Sequence, residues 1–223
     1  MRVLLIPCSG RKNKGGSSSP TSHLKAHVTD AAWRALCDAR SALAGLLELE
    51  PGPDLGNATS STLQLLPAWR RYDGNLYRNA RLGEGDLFLP HVRIFVVSAL
   101  FGVIDVRDPI RYYNLAMTDR LPDRSKVNRF WRVHGLASII QDLLCGIGAN
   151  EVHDFLSASY REAVEDLDAR LPAGCSYSPR QYPGLGTGSD YHRGTDVRAM
   201  LAVSSPDGAT GGTRRIPARD AAG

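Results

Sequence analysis

Val3-Leu4-Leu5-Ile6 constrains the fold more than any other stretch of the chain. Four consecutive branched apolar residues, stopped by Pro7, predict a buried strand over residues 2–7 rather than a half-exposed one. The strand runs straight into Cys8-Ser9-Gly10-Arg11-Lys12, a cluster of reactive and anion-binding groups. Two later segments share this grammar. Ile94 to Val97 ends in Ser98 with Gly102 just beyond, and residues 151–156 run into Ser157-Ala158-Ser159-Tyr160. In open α/β sheets, ligands collect beyond the carboxyl ends of the strands. The pattern therefore predicts an α/β fold, a mixed central sheet with flanking helices, and a site assembled from these three strand exits.

The remaining segments fill in that plan. Thr29 or Asp30 is placed to cap a helix whose one face carries Trp33, Leu36, Cys37, Leu43 and Leu47, with Arg40 the only break in the stripe. Lys126 to Ile147 predicts one long helix, and Ser159 with Glu162 forms a capping box for a helix through Leu171. Residues 13–22 and 51–62 read as loops. From Ser204 the chain is rich in Gly, Pro, Ala and Arg, so residues 1–203 are expected to form one domain and 204–223 a disordered tail.

Composition narrows the function classes. No apolar stretch in the 223 residues approaches the roughly 20 that a membrane helix needs. The apolar start is too short for a signal peptide, so a cytoplasmic protein with no membrane partner is expected. Net charge of +4 tilts toward anionic partners, although Arg214, Arg215 and Arg219 lie in the expected tail. Cys8, Cys37, Cys145 and Cys175 have no paired spacing and read as free thiols, Cys37 and Cys145 packed on helices. His23 and His27 are the one histidine pair at helical spacing, beside a loop, and no metal is expected. Nor is a cofactor: there is no phosphate loop of the G-x-x-x-x-G-K-[ST] type, no G-x-S-x-G elbow, and "GLGTGS" (184–189) falls late and after prolines. That segment, followed by Tyr191, His192 and Arg193, also reads as a phosphate-contacting turn.

Three constellations carry chemistry. Around Cys8, Gly10 lets backbone N–H groups face an anion, with Ser9 and Arg11 adding donors. A nearby cation favours the Cys8 thiolate. Lys12, if desolvated, becomes a neutral amine nucleophile. The plainer reading packs Cys8 as a small hydrophobe with both cations in water. "RRYDGNLYR" (70–78) interleaves Tyr72 and Tyr77 with arginines, a combination suited to stacking on a base with cations on phosphate; the alternative is a surface turn. "DPIRYYNLAM" (108–117) offers Asp108 as an acid or base, Tyr113 to stack or donate, and Asn114 to read a base edge. Its alternative is a loop pinned to the core by Leu115 and Met117.

"SALFGVIDVRDPIRYYNLAM" (98–117) resembles the YaaA-type peroxide stress protein family. The family pattern there is a Ser-Gly-Leu-Tyr-Gly-like turn, an Asp, and then Pro-Tyr-Arg-Leu-Glu-Met; Ser98, Leu100, Gly102, Asp108, Tyr113, Leu115 and Met117 match it without a gap. "YDGNLY", the Phe130-Trp131 pair and "SASY" resemble further family motifs in the same order, and the family lysine falls on Lys12. The chain departs from the pattern at Asn75 (family Asp), Asn114 (family Arg), Ala116 (family Glu) and Ser159 (family Glu). Separately, "PCSGRK" resembles the P-C-x-x-x-K motif of archaeosine synthases, whose lysine attacks a deazaguanine base.

The family resemblance implies a DNA-interacting protein linked to oxidative stress. Joined to the residue-level reading, it gives two expectations. The first is an enzyme acting on a nucleobase, nucleoside or nucleotide, cleaving or exchanging an N-glycosidic bond. Lys12, Cys8 and Asp108 would do the chemistry, and Ser9, Arg11, Asn75, Tyr77, Ser98, Gly102, Tyr113, Asn114, Ser157 and Tyr160 would bind. The second is a non-catalytic DNA-binding protein.

Overall fold

The computed structural model describes residues 1–17, 21–56 and 63–203. The expected tail at 204–223 and parts of the loops at 13–22 and 51–62 thus lie outside the described residues. Strand β1 (Arg2–Pro7) is the centre of a five-stranded mixed sheet ordered β4-β3-β1-β6-β7. β3 (Val92–Ser98) and β6 (Glu151–Asp154) flank β1 in parallel, Leu4 standing opposite Ile94 on one side and His153 on the other. β7 (Ser176–Pro179) continues the parallel set beyond β6, while β4 (Gly102–Asp105) returns antiparallel to β3. Val3 to Ile6 are completely buried, as a strand covered on both faces must be.

The helices explain that burial. α1 (Asp30–Leu46) starts where Thr29 Oγ1 accepts the Ala32 N–H. Arg40, the charged break in its stripe, is buried and donates through Nε to Phe101 O and through Nη2 to Val103 O. A guanidinium is tolerated there because the β3–β4 turn offers carbonyls to it. The turn itself needs Gly102: its φ is +70°, and an added Cβ would stand 2.7 Å from the Trp131 ring. A second, two-stranded sheet joins β2 (Leu66–Pro67) to β5 (Pro109–Ile110), next to the short helix α2 (Ala68–Arg71).

Several expectations need correction. The long helix over 126–147 is two helices, α4 (Val127–Val133) and α5 (Leu136–Gly146), broken at Gly135 with φ +72°. The expected capping box does not form. Helix α6 (Ala158–Ala163) begins after Ser157, whose side chain makes no capping bond, and Glu162 turns away to accept from Asn128 Nδ2 at 2.6 Å. Asp166, with φ +64°, prevents a continuation to Leu171. Cys145 is exposed rather than packed. Strand β3 exits through the Gly102 turn into a hairpin, as the glycine after the strand indicates, and helix α7 (Ser189–Val203) follows the glycine-rich 184–189 segment.

Candidate functional site

The chain leaves β1 toward β3 and leaves β6 toward β7, in opposite directions. Such a divergence opens a crevice at the carboxyl ends of the strands. A cleft of about 200 Å³ lies there, floored by Cys8, Ser9 and Gly10 at the end of β1. One wall is the start of α3 (Asn75–Ala80), with Gly74, Asn75 and Tyr77. The other is the start of α6, with Ser157 and Tyr160, and Asp190 of α7 completes the rim.

Each wall is fixed by its own contacts. The Tyr77 hydroxyl donates to Pro7 O at 2.9 Å, tying α3 to the end of β1. Gly74 meets Ser9 so closely that a Cβ would overlap the Ser9 hydroxyl. α6 is anchored from below by Asp154, which is fully buried and accepts from Arg161 Nε and the Tyr177 hydroxyl, both at 2.6 Å. That anchor sets Tyr160, one residue before Arg161, with its hydroxyl 3.0 Å from Cys8 Sγ and donating to Cys8 O at 3.3 Å. α7 packs along α3 at Gly194, where any side chain would run into Leu76 O.

Behind Cys8 lies a closed polar cluster. The hydroxyls of Tyr72 and Tyr113 are 2.9 Å apart, and Ser98 Oγ lies 3.0 Å from the Tyr113 hydroxyl. Lys12 reaches into this cluster. Its backbone bridges to Tyr72, and Nζ sits 4.0 Å from the centre of the Tyr113 ring and 5.9 Å from that of Tyr72. Nζ is buried and has no hydrogen-bond partner among the described residues. Burial lowers the Lys12 pKa; Cys8 opposes the shift, and the Arg71 guanidinium adds to it. Burial also raises the pKa of Tyr72, Tyr77, Tyr113 and Tyr160, so all four stay protonated hydroxyl donors near neutral pH. Cys8 belongs to both halves, lining the cleft while acting electrostatically on Lys12 and the tyrosines.

The sequence-predicted residues thus divide. Cys8, Ser9, Asn75, Tyr77, Ser157 and Tyr160 meet in the cleft, and Lys12, Ser98 and Tyr113 meet behind it. Arg11 turns outward, 66% exposed, to Asp73 at 3.0 Å. Asn114 is exposed, whereas its neighbour Tyr113 is buried. Gly102 packs on Trp131. Asp108 lines a separate small cavity with Arg40 and Asp54. There its Oδ1 accepts from the backbone N–H groups of His23 and Leu24 and from the Ser22 hydroxyl. Burial, reinforced by Asp105, raises the Asp108 pKa to about 6. Sequence reasoning missed Asp190, whose place at the cleft depends on the packing of α7 on α3. Gly74 was legible only as a turn residue.

The chain can now be set beside known proteins. It is 34% identical over 182 residues to a UPF0246 protein of Corynebacterium glutamicum, a match that spans 75% of this chain and 71% of that protein. The UPF0246 protein of a second strain of the species, strain R, matches to the same extent. A UPF0246 protein of Methylibium petroleiphilum is 32% identical over 111 residues, 47% of this chain and 42% of its own length. The family model described as peroxide stress protein YaaA matches residues 5–179, which takes in the end of β1, the tyrosine cluster and both walls of the cleft but not α7. The chain belongs to the YaaA peroxide stress protein family.

Proposed function

We propose that this chain is a YaaA-family enzyme that acts on a nucleobase-bearing substrate, breaking or exchanging an N-glycosidic bond with Lys12 as nucleophile. The observation that carries the reading is the Lys12 amine, buried without a hydrogen-bond partner among the described residues and with a lowered pKa. A lysine becomes nucleophilic when it loses its proton, and desolvation beside another cation is how that is arranged. The Lys12 lone pair would form a bond to the anomeric carbon as the bond to the base breaks. The leaving base would take a proton from the Tyr160–Cys8 pair. Opening of the sugar ring leaves an imine on Lys12, which water hydrolyses to restore the amine. Tyr77 and Asn75 line the space for the substrate. Because Nζ itself has no accessible surface, the reading requires cleft-lining side chains, Cys8 first among them, to shift as substrate enters.

The test is direct. Purified protein is incubated with nucleosides and nucleotides, base release is followed by chromatography, and parallel samples are quenched with borohydride. A reduced sugar adduct on Lys12, lost in Lys12→Ala, is expected. Base release that persists undiminished in Lys12→Ala would sink the reading.

One separate observation favours non-catalytic DNA binding. A groove of about 410 Å³ outside the cluster is lined by Trp69, Arg70, Arg78 and Arg81 as well as Tyr72 and Tyr77. Aromatic faces between cations suit a nucleic-acid strand. Two of the arginines are already neutralised, however, Arg70 by Glu84 at 3.0 Å and Arg78 by Asp73 at 2.7 Å. Little free charge remains for phosphates, which is why the enzyme reading is preferred. Affinity for a DNA oligonucleotide that falls steeply with salt, in protein showing no adduct, would reverse that preference.

A further inference from the structure

We infer that Asp190 makes the cleft selective for the uncharged sugar of a nucleoside and against a phosphate ester. The inference rests on the reading above, that a nucleobase-bearing substrate enters this cleft, and deepens it by naming the substrate class.

The strand exit with two cations predicted a pocket for an anionic or base-bearing ligand. The lining of the cleft favours the uncharged kind. Arg11 points outward to Asp73, and the Lys12 amine lies buried behind Cys8 rather than on the cleft surface. Among the side chains that line the cleft, Asp190 is the charged one; the others are apolar, hydroxyl, thiol or amide groups and glycine. The carboxylate is held in place. Arg193 Nη1 donates to Asp190 Oδ1 at 2.7 Å and to Ser189 Oγ at 2.6 Å, and the Arg193 guanidinium is itself fixed over the Tyr182 ring. The guanidinium side chain is 9% exposed whereas that of Asp190 is 51% exposed, so the acid and not the base faces the cleft.

A held carboxylate is an acceptor and nothing else. Arg193 engages Oδ1 without burying it, so the half-exposed carboxylate still takes hydrogen bonds from sugar hydroxyls or amino groups, which a phosphate, itself an acceptor, does not supply. Asp190 also acts on the tyrosines across the space, pushing the pKa of Tyr77 and Tyr160 upward, as a carboxylate facing the same opening does. Size points the same way. About 200 Å³ lies below the usual range of roughly 300–1,000 Å³ for drug-sized ligands. Such a space favours the smaller of the two ligand forms.

Calorimetric titrations of the full chain with adenosine, guanosine, cytidine and uridine, and with their 5′-monophosphates, test the inference. Wild type is expected to bind at least one nucleoside ten times more tightly than its monophosphate. In Asp190→Asn, which keeps the size and drops the charge, the gap should close to threefold or less through better monophosphate binding. Asp190→Ser, a favourable helix-start residue, serves as a second variant and should behave the same way. Equal affinity for both forms in wild type, or an unchanged gap in both variants, overturns the inference. Lys12→Ala separates the two ideas. If discrimination is intact but no Lys12 adduct ever forms, the nucleophile reading fails and the role of Asp190 stands. If neither ligand form binds wild type, both fall.

Discussion

Lys12 Nζ stands 4.0 Å from the centre of the Tyr113 ring, with that ring and Tyr72 in place of any hydrogen-bond acceptor among the described residues. An unsatisfied buried donor costs about 1–3 kcal/mol, more if charged. A desolvated cation over an aromatic face recovers about 0.5–2 kcal/mol. The balance leaves Lys12 a net burden on the fold. Lys12→Met, which keeps the length and removes the amine, is therefore expected to raise stability by roughly 1 kcal/mol. A urea series would show this as a higher midpoint at unchanged slope. A lower midpoint would mean that the amine has a partner in solution that stabilises it.

The same amine links stability to pH. Its pKa in the folded chain is lowered, chiefly by burial, so on the alkaline side the native state binds fewer protons than the unfolded chain. Stability then rises with pH from the depressed Lys12 pKa up to the ordinary lysine value of about 10.4. Below the depressed value the cost is present in full. The rise should be visible as wild type minus Lys12→Met, measured in denaturant at intervals between pH 7 and 10. A flat difference would show that Lys12 keeps its proton throughout.

What the sequence disclosed and what it hid follow a physical divide. Strand β1 was legible because Val3 to Ile6 have no polar face, so burial is the one outcome open to them. The meeting of Cys8, Tyr77 and Tyr160 was legible because each follows a strand or turn signal at one end of the sheet. Helix ends were not. Apolar periodicity runs through Gly135, and only its left-handed φ separates α4 from α5. Ser159 and Glu162 had the right spacing for a capping box, but tertiary packing gave Glu162 to Asn128. Asp190 was invisible because nothing local to "GSDYHRG" records that α7 lies on α3. The direction of a charge was equally hidden: Arg11 and Lys12 are neighbours, yet one faces water and the other the core.

Gly194 is the hinge of that long-range placement. A Cβ there would press into Leu76 O and crowd Asn79 and the Ala80 N–H, all on α3, so the two helices must separate. Gly194→Ala is expected to destabilise the chain by about 1–3 kcal/mol, within the range for overpacking. It should also narrow the preference for nucleoside over monophosphate by carrying Asp190 away from the cleft. Gly45→Ala on α1 is the matched control, since a Cβ at Gly45 meets nothing within 4 Å and lies away from the cleft. Equal stability of the two variants in thermal unfolding would show that α7 does not pack on α3 as described.

Asp108 gives a pH effect of opposite sign to that of Lys12. Its pKa is raised to about 6 by burial and by Asp105, with Arg40 opposing. A carboxyl with a raised folded pKa stabilises the native state when protonated. That contribution is complete below about pH 4 and is lost as pH rises through about 6. The stability difference between wild type and Asp108→Asn should therefore fall between about pH 4 and pH 6 and level off above, to the disadvantage of the ionised form. His27, whose own pKa is lowered by burial, feels Asp105 rather than Asp108, so His27→Gln should leave this profile in place. A difference that instead grows with pH would mean that the Ser22, His23 and Leu24 donors, with the Asp105 N–H on Oδ2, outweigh the burial of the carboxylate.

Arg71 fixes the segment that carries Lys12. It is fully buried, and its guanidinium donates to Ile110 O at 3.3 and 3.1 Å, to Gly15 O at 3.0 Å, to Gln64 O at 2.9 Å and, closest of all, to Asn13 O. In return the Asn13 N–H donates to Arg71 O, and Ser17 exchanges backbone bonds with Leu65. Only the rigid fork of an arginine reaches carbonyls in so many directions; a lysine has one nitrogen at one point. Arg71→Lys is accordingly expected to cost roughly 3 kcal/mol, although it conserves charge. Hydrogen exchange gives the sharper readout. The amides of Asn13, Ser17 and Leu65 should exchange much faster in Arg71→Lys, whereas those of Leu4, Leu5 and Ile6 in β1 should slow or speed only with global stability. If the β1 amides accelerate as much as Asn13, Arg71 supports the whole sheet and not the lysine segment. If none accelerates, the carbonyls have found other donors and the guanidinium is dispensable.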